Sequence, residues 1–489
     1  MAQRYDVVVI GAGLGGLTAA ALLAQAGRNI LMLERNASVG GAASTYKVKD
    51  LVVESALHQT GDPHDARDPK HAVLKQLGIL DAVEWVPTNA LYEVRGGPVG
   101  EPLLVPDNFH FARVALTERF PNEGESIANA LSAMEAGVFA HRTADPSSDA
   151  GRSLSEAFAQ SVGTNEGLKC ALAANLACYH DDPRSLSWLF FAAQQGGCLA
   201  SGTRFIKGGS QRLSNSFRRV IQRAGGEALF KRTVTEIKLD ADGRPRSLVH
   251  TRAGADPVEI EVSAIASNAA PAVVASVLPE HARGKFLAAY ESSRPSTSVF
   301  SATLGLSQPP RDFGLRAYAT VLLPLWMERL DDYPRGIDLL PVIADAAPPA
   351  MTVIDYSAID SGLGGPPYPV AISGLDRITN WSGLDRAAFE AQRGRVLDGI
   401  IAAVDREFPG FASAVVAKSL NTASSMSSYL NAPEGAVYGF APSPQASHIR
   451  EARTPVPGLF LASAYSGGGG FSGAISGGAA AAECILTEA

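Results

Sequence analysis

The sequence contains little cysteine and no concentrated block of positive charge. Its four cysteines form no Cys-x-x-Cys pair and do not combine with a histidine pair at metal-ligand spacing; they are Cys170, Cys178, Cys198 and Cys484. We therefore expect no metal site, and a reducing cytoplasm is the simplest setting. The net charge of −7, without a basic cluster, argues against a nucleic-acid partner.

Long apolar runs are also absent. No run reaches the roughly 18 residues that a membrane-spanning helix needs. An apolar strand pattern already begins at Tyr5, so we expect no signal peptide. Residues 321–327, "VLLPLWM", favour a buried strand, although Trp also suits a lipid interface. We expect a cytoplasmic protein; peripheral contact with the inner face of the membrane and the oligomeric state stay open.

No Ser-His-Asp or Cys-His signature of nucleophilic catalysis is present, which fits chemistry carried by a cofactor. His180, Asp181 and Asp182 in "YHDDP" could form an acid–base cluster, but Asp before Pro is more typical of a helix end. The helical pattern "SLSWLFFAAQQ" fits either a core helix or the wall of a long apolar tunnel.

What the sequence does contain is a dinucleotide fingerprint near its start. Residues 7–10 predict a buried strand, the next glycines fit Gly-x-Gly-x-x-Gly, and an Ala- and Leu-rich stretch predicts a helix. "ILMLE" predicts a second strand ending in an acid that would accept from ribose hydroxyls and disfavour NADP. The turn and the helix N-terminus suit a pyrophosphate. The candidate residues of this cradle are Gly11, Gly13, Gly15, Gly16, Glu34 and Arg35.

This cradle alone fits NAD and FAD, and two further features favour FAD. A second glycine pair, Gly40 and Gly41, follows where the chain would turn back across the pyrophosphate. Near the C-terminus, a strand, a glycine loop and a helix predict a second helix N-terminus at about residues 472–475, suited to the pyrimidine edge of a flavin. Tight helix packing explains those glycines equally well. No second fingerprint follows a mid-chain strand, so we expect no NADPH site.

The rest of the chain predicts a discontinuous organisation. Residues 107–195 are mostly helical by pattern, a strand–turn–helix unit begins at about 204, strand patterns dominate 294–380, and a helix ends before Pro409. We expect an α/β protein with a discontinuous Rossmann-like FAD-binding domain and a mixed α/β substrate domain. The predicted FAD-binding segments are 1–85, 205–280 and 415–489; the substrate segments are 86–204 and 281–414.

Several motifs spread over nearly the whole chain carry a family resemblance. They are "DVVVIGAGLGGLTAAALLAQAG", "LERNASVGGAAST", "FIKGGSQRL", "TVTEIKL", "AIASNAA", "RPSTSVFSATLGL" and "TPVPGLFLASAYSGGGGFSGAISGGAAAAECI". By these motifs the chain resembles the phytoene desaturase and carotenoid isomerase group of the flavin amine-oxidase-like superfamily, which includes retinol saturases. The resemblance implies a glutathione-reductase-like FAD domain.

The resemblance also assigns expected roles to individual residues. The backbone of Val234 would meet the adenine, and Gly473 with Ala474 would lie near the isoalloxazine ring, with Ser463 as a further candidate contact. Two positions depart from the family pattern: Ala42 follows the second glycine pair where many relatives carry a basic residue or serine, and Ala464 replaces an acidic residue. In saturase-like relatives a histidine lies near the flavin at a similar place, so the resemblance makes His58 a candidate catalytic residue. A structural role in a turn explains this histidine equally well.

These observations predict a FAD-dependent oxidoreductase acting on a lipophilic unsaturated substrate, a polyene or isoprenoid first. Desaturation, saturation and isomerisation share this scaffold by resemblance. One alternative is amine oxidation, which would want an aromatic pair beside the flavin, with Tyr429, Tyr438 and Trp381 as candidates. The other is a flavin-free lipid-binding escort protein, against which the intact glycine fingerprint argues.

Overall fold

The computed structural model describes residues 3–56, 58–143, 151–343, 348–446 and 451–488. Within them the chain has the mixed α/β fold that the sequence predicts. In chain order the strands are β1 (Arg4–Ile10), β2 (Ile30–Glu34), β3 (Thr45–Val48), β4 (Leu51–Glu54), β5 (Thr60–Gly61), β6 (Trp85–Pro87), β7 (Tyr92–Gly96), β8 (Gly100–Val105), β9 (Thr203–Ile206), β10 (Glu227–Phe230), β11 (Thr233–Leu239), β12 (Pro245–Thr251), β13 (Val258–Ser267), β14 (Ser298–Leu306), β15 (Ala319–Leu323), β16 (Met351–Asp355), β17 (Tyr368–Asp376), β18 (Val415–Asn421) and β19 (Leu459–Leu461).

The α-helices are numbered in the same way, and short 3₁₀ turns lie between them. They are α1 (Leu14–Gln25), α2 (Lys70–Gln76), α3 (Phe109–Arg119), α4 (Gly124–Thr143), α5 (Leu154–Ser161), α6 (Glu166–Leu172), α7 (Trp188–Ser201), α8 (Gln211–Arg223), α9 (Pro271–Val277), α10 (Glu280–Ala288), α11 (Arg335–Leu339), α12 (Arg386–Glu407), α13 (Phe411–Ala414), α14 (Ala423–Leu430), α15 (Ala464–Gly467) and α16 (Gly470–Glu488).

The first large sheet has the strand order β10-β2-β1-β13-β12-β11, and β19 pairs with β13 beside this path. β10, β2, β1, β13 and β19 are parallel, whereas β12 runs antiparallel to both of its neighbours. Helix α1 leads from β1 to β2 and packs against α8 and α16. Every residue of β2 is buried, which explains why its first four residues are all apolar. The carboxyl ends of β1, β13 and β19 therefore meet at one edge of the sheet.

The second large sheet has the order β18-β14-β17-β16-β15-β7-β8. Its pairs are antiparallel except for β15 with β7. Because side chains alternate between the two faces of a strand, Phe300, Ala302 and Leu304 of β14 pack into a core with α12, whereas Val299 and Ser301 face the other way. This second face forms part of the wall of the site described below.

The local predictions agree well with these elements. The expected hairpins are present as β3–β4 and β11–β12, and α12 ends before Pro409. The predicted helical region holds α3 to α7, although residues 144–150 within it lie outside the described residues. The C-terminal helix differs, because α16 begins at Gly470, earlier than predicted, and a short helix, α15, takes up Gly467.

The domain boundaries stay a prediction. The first large sheet draws its strands from residues 4–34, 227–267 and 459–461, so it is built from separate stretches of the chain. However, β18 pairs with β14 in the second sheet. This pairing connects residues of the predicted FAD-binding segment 415–489 to the second sheet.

The apolar run at residues 321–327 is only partly a strand. Val321 and Leu323 are buried at the end of β15, as predicted, but Leu325 is 88% exposed in the turn that follows. Contact of this turn with a lipid surface stays a prediction. Among the described helices, none combines the length and the apolar composition that crossing a bilayer requires.

Candidate functional site

A cavity of about 1240 Å³ is lined by residues of both large sheets, of α7 and of the loops that follow β1 and β19. Ligand pockets usually enclose about 300–1,000 Å³. The cavity is therefore large enough for an extended cofactor together with a second molecule. Its lining is mainly apolar outside the glycine loops.

The glycine turn between β1 and α1 forms one end of this cavity. Gly11 has φ +91°, a conformation that side chains disfavour. Gly13 is the N-cap of α1, no side chain caps the helix, and its first turn holds no acid. Gly11 and Gly13 line the cavity, whereas Gly15 and Gly16 act through packing: a Cβ at Gly15 would lie 2.2 Å from the carbonyl oxygen of Ala462.

Asn268, which follows β13, holds this turn in place and was missed by sequence reasoning. Its Nδ2 donates to the carbonyl oxygen of Ala462 at 2.7 Å, and its backbone N–H donates to Ile10. A Cβ at Gly13 would lie 2.4 Å from its Oδ1. "AIASNAA" contains this residue, but only the meeting of three strand ends shows what its side chain does.

Glu34 and Arg35, at the end of β2, also line the cavity. Glu34 is buried, and its Oε2 accepts from the backbone N–H of Ala12 at 2.7 Å. The carboxylate therefore lies beside the glycine turn with acceptor capacity left for a ligand hydroxyl. The guanidinium of Arg35 donates to the carbonyl oxygens of Ser428 and Tyr429, so it connects β2 to α14 across the cavity rim.

The second glycine pair, Gly40 and Gly41, lies directly over the glycine turn between β1 and α1. Gly40 has φ +121° and its N–H donates to the carbonyl oxygen of Ala12 at 2.7 Å. A Cβ at Gly41 would lie 3.3 Å from the Cα of Gly13. Gly40, Gly41 and Ala42 all line the cavity. A side chain at Gly41 would intrude on the space above the helix N-terminus, whereas one at Gly40 would clash with the carbonyl oxygen of Ala43.

The C-terminal loops form another part of the wall. Ser463 caps α15 by accepting from the N–H of Tyr465, and Ser463, Ala464 and Ala474 line the cavity. Gly473 does not line it; a Cβ there would lie 2.1 Å from the carbonyl oxygen of Gly468. Val234 lines the cavity from β11, beside a register irregularity between Val234 and Glu236.

A buried ion pair supports the first turn of α16. The Nζ of Lys70 is fully buried and lies 2.7 Å from Oδ2 of Asp68 and 3.0 Å from Oγ of Ser472. Asp68 and Ser472 line the cavity. Sequence reasoning missed this pair, because Asp68 and Lys70 occur in an ordinary polar stretch whose burial depends on α16.

The motif "FIKGGSQRL" has a structural explanation that sequence reasoning also missed. Glu54, at the end of β4, is buried and accepts from the hydroxyl and the N–H of Ser210. Its Oε2 also accepts from Thr45 at 2.6 Å. Gly209 has φ +93°, and a Cβ there would lie 2.1 Å from the Thr45 hydroxyl. The hairpin β3–β4 is thereby fixed to the start of α8.

His58 follows this hairpin and lines the cavity, half-buried. Its Nδ1 lies 2.8 Å from the hydroxyl of Tyr356, and its carbonyl oxygen accepts from Tyr318. Burial lowers the pKa of His58 to about 4, so the imidazole is neutral at pH 7. Its place beside the cavity agrees with the predicted site, and its catalytic role stays a prediction.

The other candidates separate clearly. His180 is buried and does not line the cavity. Its Nδ1 lies 2.7 Å from Oδ1 of Asp181. The carbonyl oxygen of Asp182, in the same turn, accepts two backbone N–H groups. The prediction that Trp381 belongs to an aromatic pair at the site is wrong, because Trp381 is buried against α12 and its indole N–H donates to Asp376. Tyr429 and Tyr438 do line the cavity, as do residues of the predicted tunnel helix α7.

The observed cradle fits FAD. The uncapped start of α1, the stacked glycine pairs and the Glu34 carboxylate provide N–H groups, close approach and an acceptor for a dinucleotide. Val234 and the C-terminal loops line the same continuous cavity at other points. The volume exceeds what the dinucleotide end alone would use.

Comparison with known proteins agrees with this geometry. The family described as flavin containing amine oxidoreductase matches residues 14–486. All-trans-retinol 13,14-reductase of Macaca fascicularis is 26% identical over 544 aligned residues, which cover 99% of this chain and 86% of the relative. Carotenoid 3,4-desaturase of Haloarcula japonica is 51% identical over 43 residues, 9% of each protein.

Solved structures show the same fold. An oxidoreductase from Methanosarcina mazei superposes with a TM-score of 0.66 at 16% identity, covering 99% of this chain and 100% of the other. At this identity the likeness is one of fold alone.

Proposed function

Since this chain belongs to the family of flavin-containing amine oxidoreductases and is a FAD-dependent oxidoreductase, we propose that it acts on a carbon–carbon double or single bond of a lipophilic polyene. The observation that carries this proposal is the large, mainly apolar cavity that continues from the dinucleotide cradle. The names of the relatives, a retinol reductase and a carotenoid desaturase, support the same substrate class.

FAD is the cofactor, and when bound it supplies the acceptor or donor of a hydride that such chemistry needs. We assign its ADP half to the cradle of Gly11, Gly13 and Glu34, with Gly40 and Gly41 above the pyrophosphate. Val234 lies on the adenine side and Ala474 on the flavin side in this assignment. The protein's own part is to bind and orient the cofactor and to exclude water from the reacting bond.

The part of the wall that we assign to the substrate carries apolar side chains on both sides. Val299, Val321 and Ile354 project from the second sheet, and Phe190 projects from α7. Burial contributes about 0.8 kcal/mol per CH₂ group, so a long hydrocarbon can bind here without a charged anchor. This wall suits a polyene, an isoprenoid or another chain of similar shape.

Amine oxidation remains the second candidate function, and the charges of the cavity argue against it. Within the described residues, the carboxylates that line the cavity are Glu34 and Asp68. Glu34 accepts backbone N–H groups in the cradle, and Asp68 is paired with Lys70. Because Glu34 lies in the cradle assigned to FAD and Asp68 is already paired, neither is available to hold an ammonium group beside the apolar wall. A flavin-free escort role is not compatible with the assigned cofactor.

The experiment that tests this function uses the FAD-loaded protein without oxygen. Reduced protein is mixed with all-trans-retinol in a stopped-flow instrument, and oxidised protein is mixed separately with simple amines. We expect return of the oxidised flavin spectrum, loss of polyene absorbance and a product heavier by two hydrogens. A product of unchanged mass and altered geometry would indicate isomerisation. Rapid bleaching by amines, without any reaction of polyenes, would contradict the proposal.

The pKa of His58 gives a prediction on pH. The unfolded chain binds a proton on this residue below about pH 6.5, whereas the folded protein does so only near pH 4. The unfolded state therefore binds more protons between these values, and the free energy of unfolding falls as the pH is lowered from 6.5 to 4. A His58→Gln protein should lack this part of the decrease in urea unfolding.

The same neutral imidazole predicts the pH profile of flavin turnover. His58 should cause no inflection between pH 5 and 8, and turnover should fall towards pH 4 in the wild type only. A wild-type inflection near pH 6.5 that His58→Gln removes would show that this imidazole titrates normally.

A further inference from the structure

A row of hydroxyl side chains crosses the wall of the second sheet. Ser301 of β14 is paired with Ser373 of β17, and Ser373 is paired with Thr352 of β16. Directly opposite residues in antiparallel strands share a face, with Cβ atoms about 4.5–5.5 Å apart. All three residues line the cavity. The hydroxyls therefore form one continuous polar patch, which we call the hydroxyl row.

The hydroxyl row has no use within the fold. Ser301 is 3% exposed, and its Oγ is buried without a hydrogen-bond partner. Ser373 and Thr352 are half-buried at the cavity wall, and their hydroxyls make no hydrogen bond to another described residue. A buried hydroxyl without a partner is costly, so Ser301, with two further hydroxyls beside it at the cavity wall, needs an explanation.

The neighbours of the hydroxyl row mark its limits. On one side, the register continues from Thr352 to Val321 of β15 and Val94 of β7. On the other side, Asn421 of β18 lies opposite Ser301 and donates to the hydroxyl of Tyr46. The hydroxyl row is thus a polar segment that is bordered by apolar side chains on one side and by the Asn421 amide, already bonded to Tyr46, on the other.

On the second sheet, the other polar groups that line the cavity are satisfied by the protein. The hydroxyl of Tyr92, on the same sheet, donates to the carbonyl oxygen of Ala171. Asn175, Arg232 and Tyr465 line the cavity elsewhere and also keep a buried polar atom without a partner among the described residues, but none of them lies on the second sheet. The hydroxyl row is therefore the part of the second-sheet wall that has hydrogen bonds left to offer.

The charge of the surroundings decides which ligand group fits. Among the described lining residues, the side chains with formal charge are Glu34, Arg35, Arg67, Asp68 and Arg232, and all of them lie outside the second sheet. Hydroxyl groups both donate and accept, so they suit a neutral oxygen function rather than a carboxylate or an ammonium group.

We infer that the hydroxyl row of Ser301, Ser373 and Thr352 binds a neutral oxygen function, a hydroxyl or a carbonyl, on an otherwise hydrocarbon substrate. The inference rests on the proposed function and narrows it: the enzyme prefers an oxygenated polyene to the corresponding hydrocarbon. The row acts through binding and orientation, and it leaves the redox chemistry to the cofactor.

The test compares ligands that differ in one oxygen. Dissociation constants for the oxidised, FAD-loaded protein are measured by quenching of tryptophan fluorescence with all-trans-retinol, all-trans-retinal and the hydrocarbon in which hydrogen replaces the hydroxyl. We expect the wild type to bind both oxygenated ligands about tenfold more tightly. In the triple variant Ser301→Ala/Thr352→Val/Ser373→Ala, this preference should disappear because affinity for the oxygenated ligands falls, while affinity for the hydrocarbon is kept.

Ser298→Ala is the matched control. Ser298 lies on the same strand, is equally buried and has an Oγ without a partner, but it does not line the cavity. This variant should keep the tenfold preference. Retinal and retinol separate the two oxygen functions: preference for one alone would show that the row selects a carbonyl or an alcohol.

Each of the other possible results would contradict a particular claim made above. Equal wild-type affinities for all three ligands would refute the inference and leave polyene binding in place. A preference that the triple variant keeps would place the oxygen elsewhere in the cavity. Absence of binding by all three ligands, together with no reaction of reduced flavin with retinol, would refute the proposed function as well.

Discussion

A Gly13→Val protein is expected to fold and to bind no FAD at stoichiometric concentration. Gly13 has φ −72° and ψ 174°, an extended conformation that Val adopts readily, so the backbone is not strained. The added Cβ would lie 2.4 Å from Oδ1 of Asn268. Asn268 cannot turn away without losing its hydrogen bond to Ala462. The side chain would also fill the space beside the start of α1 that we assign to the pyrophosphate.

Because the side chain would occupy the space assigned to the pyrophosphate, we expect the dissociation constant of FAD to rise on the order of a hundredfold, which corresponds to about 2.8 kcal/mol of binding free energy. The measurement is titration of apoprotein with FAD, followed by flavin fluorescence. Gly284→Val is the control, because a Cβ at Gly284 in α10 meets nothing within 4 Å. Normal FAD affinity of the Gly13→Val protein would show that the pyrophosphate lies elsewhere.

A Lys70→Met protein is expected to be strongly destabilised. The substitution keeps the volume of the side chain but removes the partner of Asp68, whose side chain is 6% exposed. Removing one member of a buried ion pair costs about 3–5 kcal/mol, because the remaining charge is left buried and uncompensated. Ser472, in the first turn of α16, also loses its contact with Nζ. The free energy of unfolding is measured in urea, with all proteins saturated with FAD, because FAD itself stabilises the folded state.

The double variant Asp68→Asn/Lys70→Met provides the control. It removes both charges while Oδ1 of residue 68 can still accept the N–H of residue 70. We expect most of the lost stability to return, since replacing a whole buried pair is often close to neutral. If the double variant were as unstable as Lys70→Met, shape rather than unpaired charge would explain the loss.

The cradle was predictable because its signal is local. Gly11, Gly13 and Glu34 follow each other within one β–α–β unit, and the glycines are required by turn geometry and close packing. The α/β fold follows from the same kind of pattern, as strand and helix periodicities alternate along the chain. The sequence did not show, however, which glycines line the cavity and which allow close packing. Gly15, Gly16 and Gly473 act through backbone contacts rather than at the cavity wall.

The missed residues share a different property. Asn268, Lys70 and Glu54 act across contacts between elements far apart in sequence. In the sequence each one is a polar residue in an unremarked stretch, and only tertiary pairing buries it. Trp381 fails for the converse reason: the sequence shows an aromatic residue but not that the fold buries it in another core. The hydroxyl row likewise needs the register of β14, β17 and β16, which no local pattern supplies.

The packing of α1 against α16 has a consequence for synthesis on the ribosome. A Cβ at Gly478 would lie 2.2 Å from the carbonyl oxygen of Gly15, so the first helix of the sheet fits closely against the last helix of the described chain. A nascent chain emerges from its N-terminus, at about 5–20 residues per second. The dinucleotide cradle therefore lacks the helix that supports it until residues 470–488 have emerged, and FAD can be captured in a complete site only from then on.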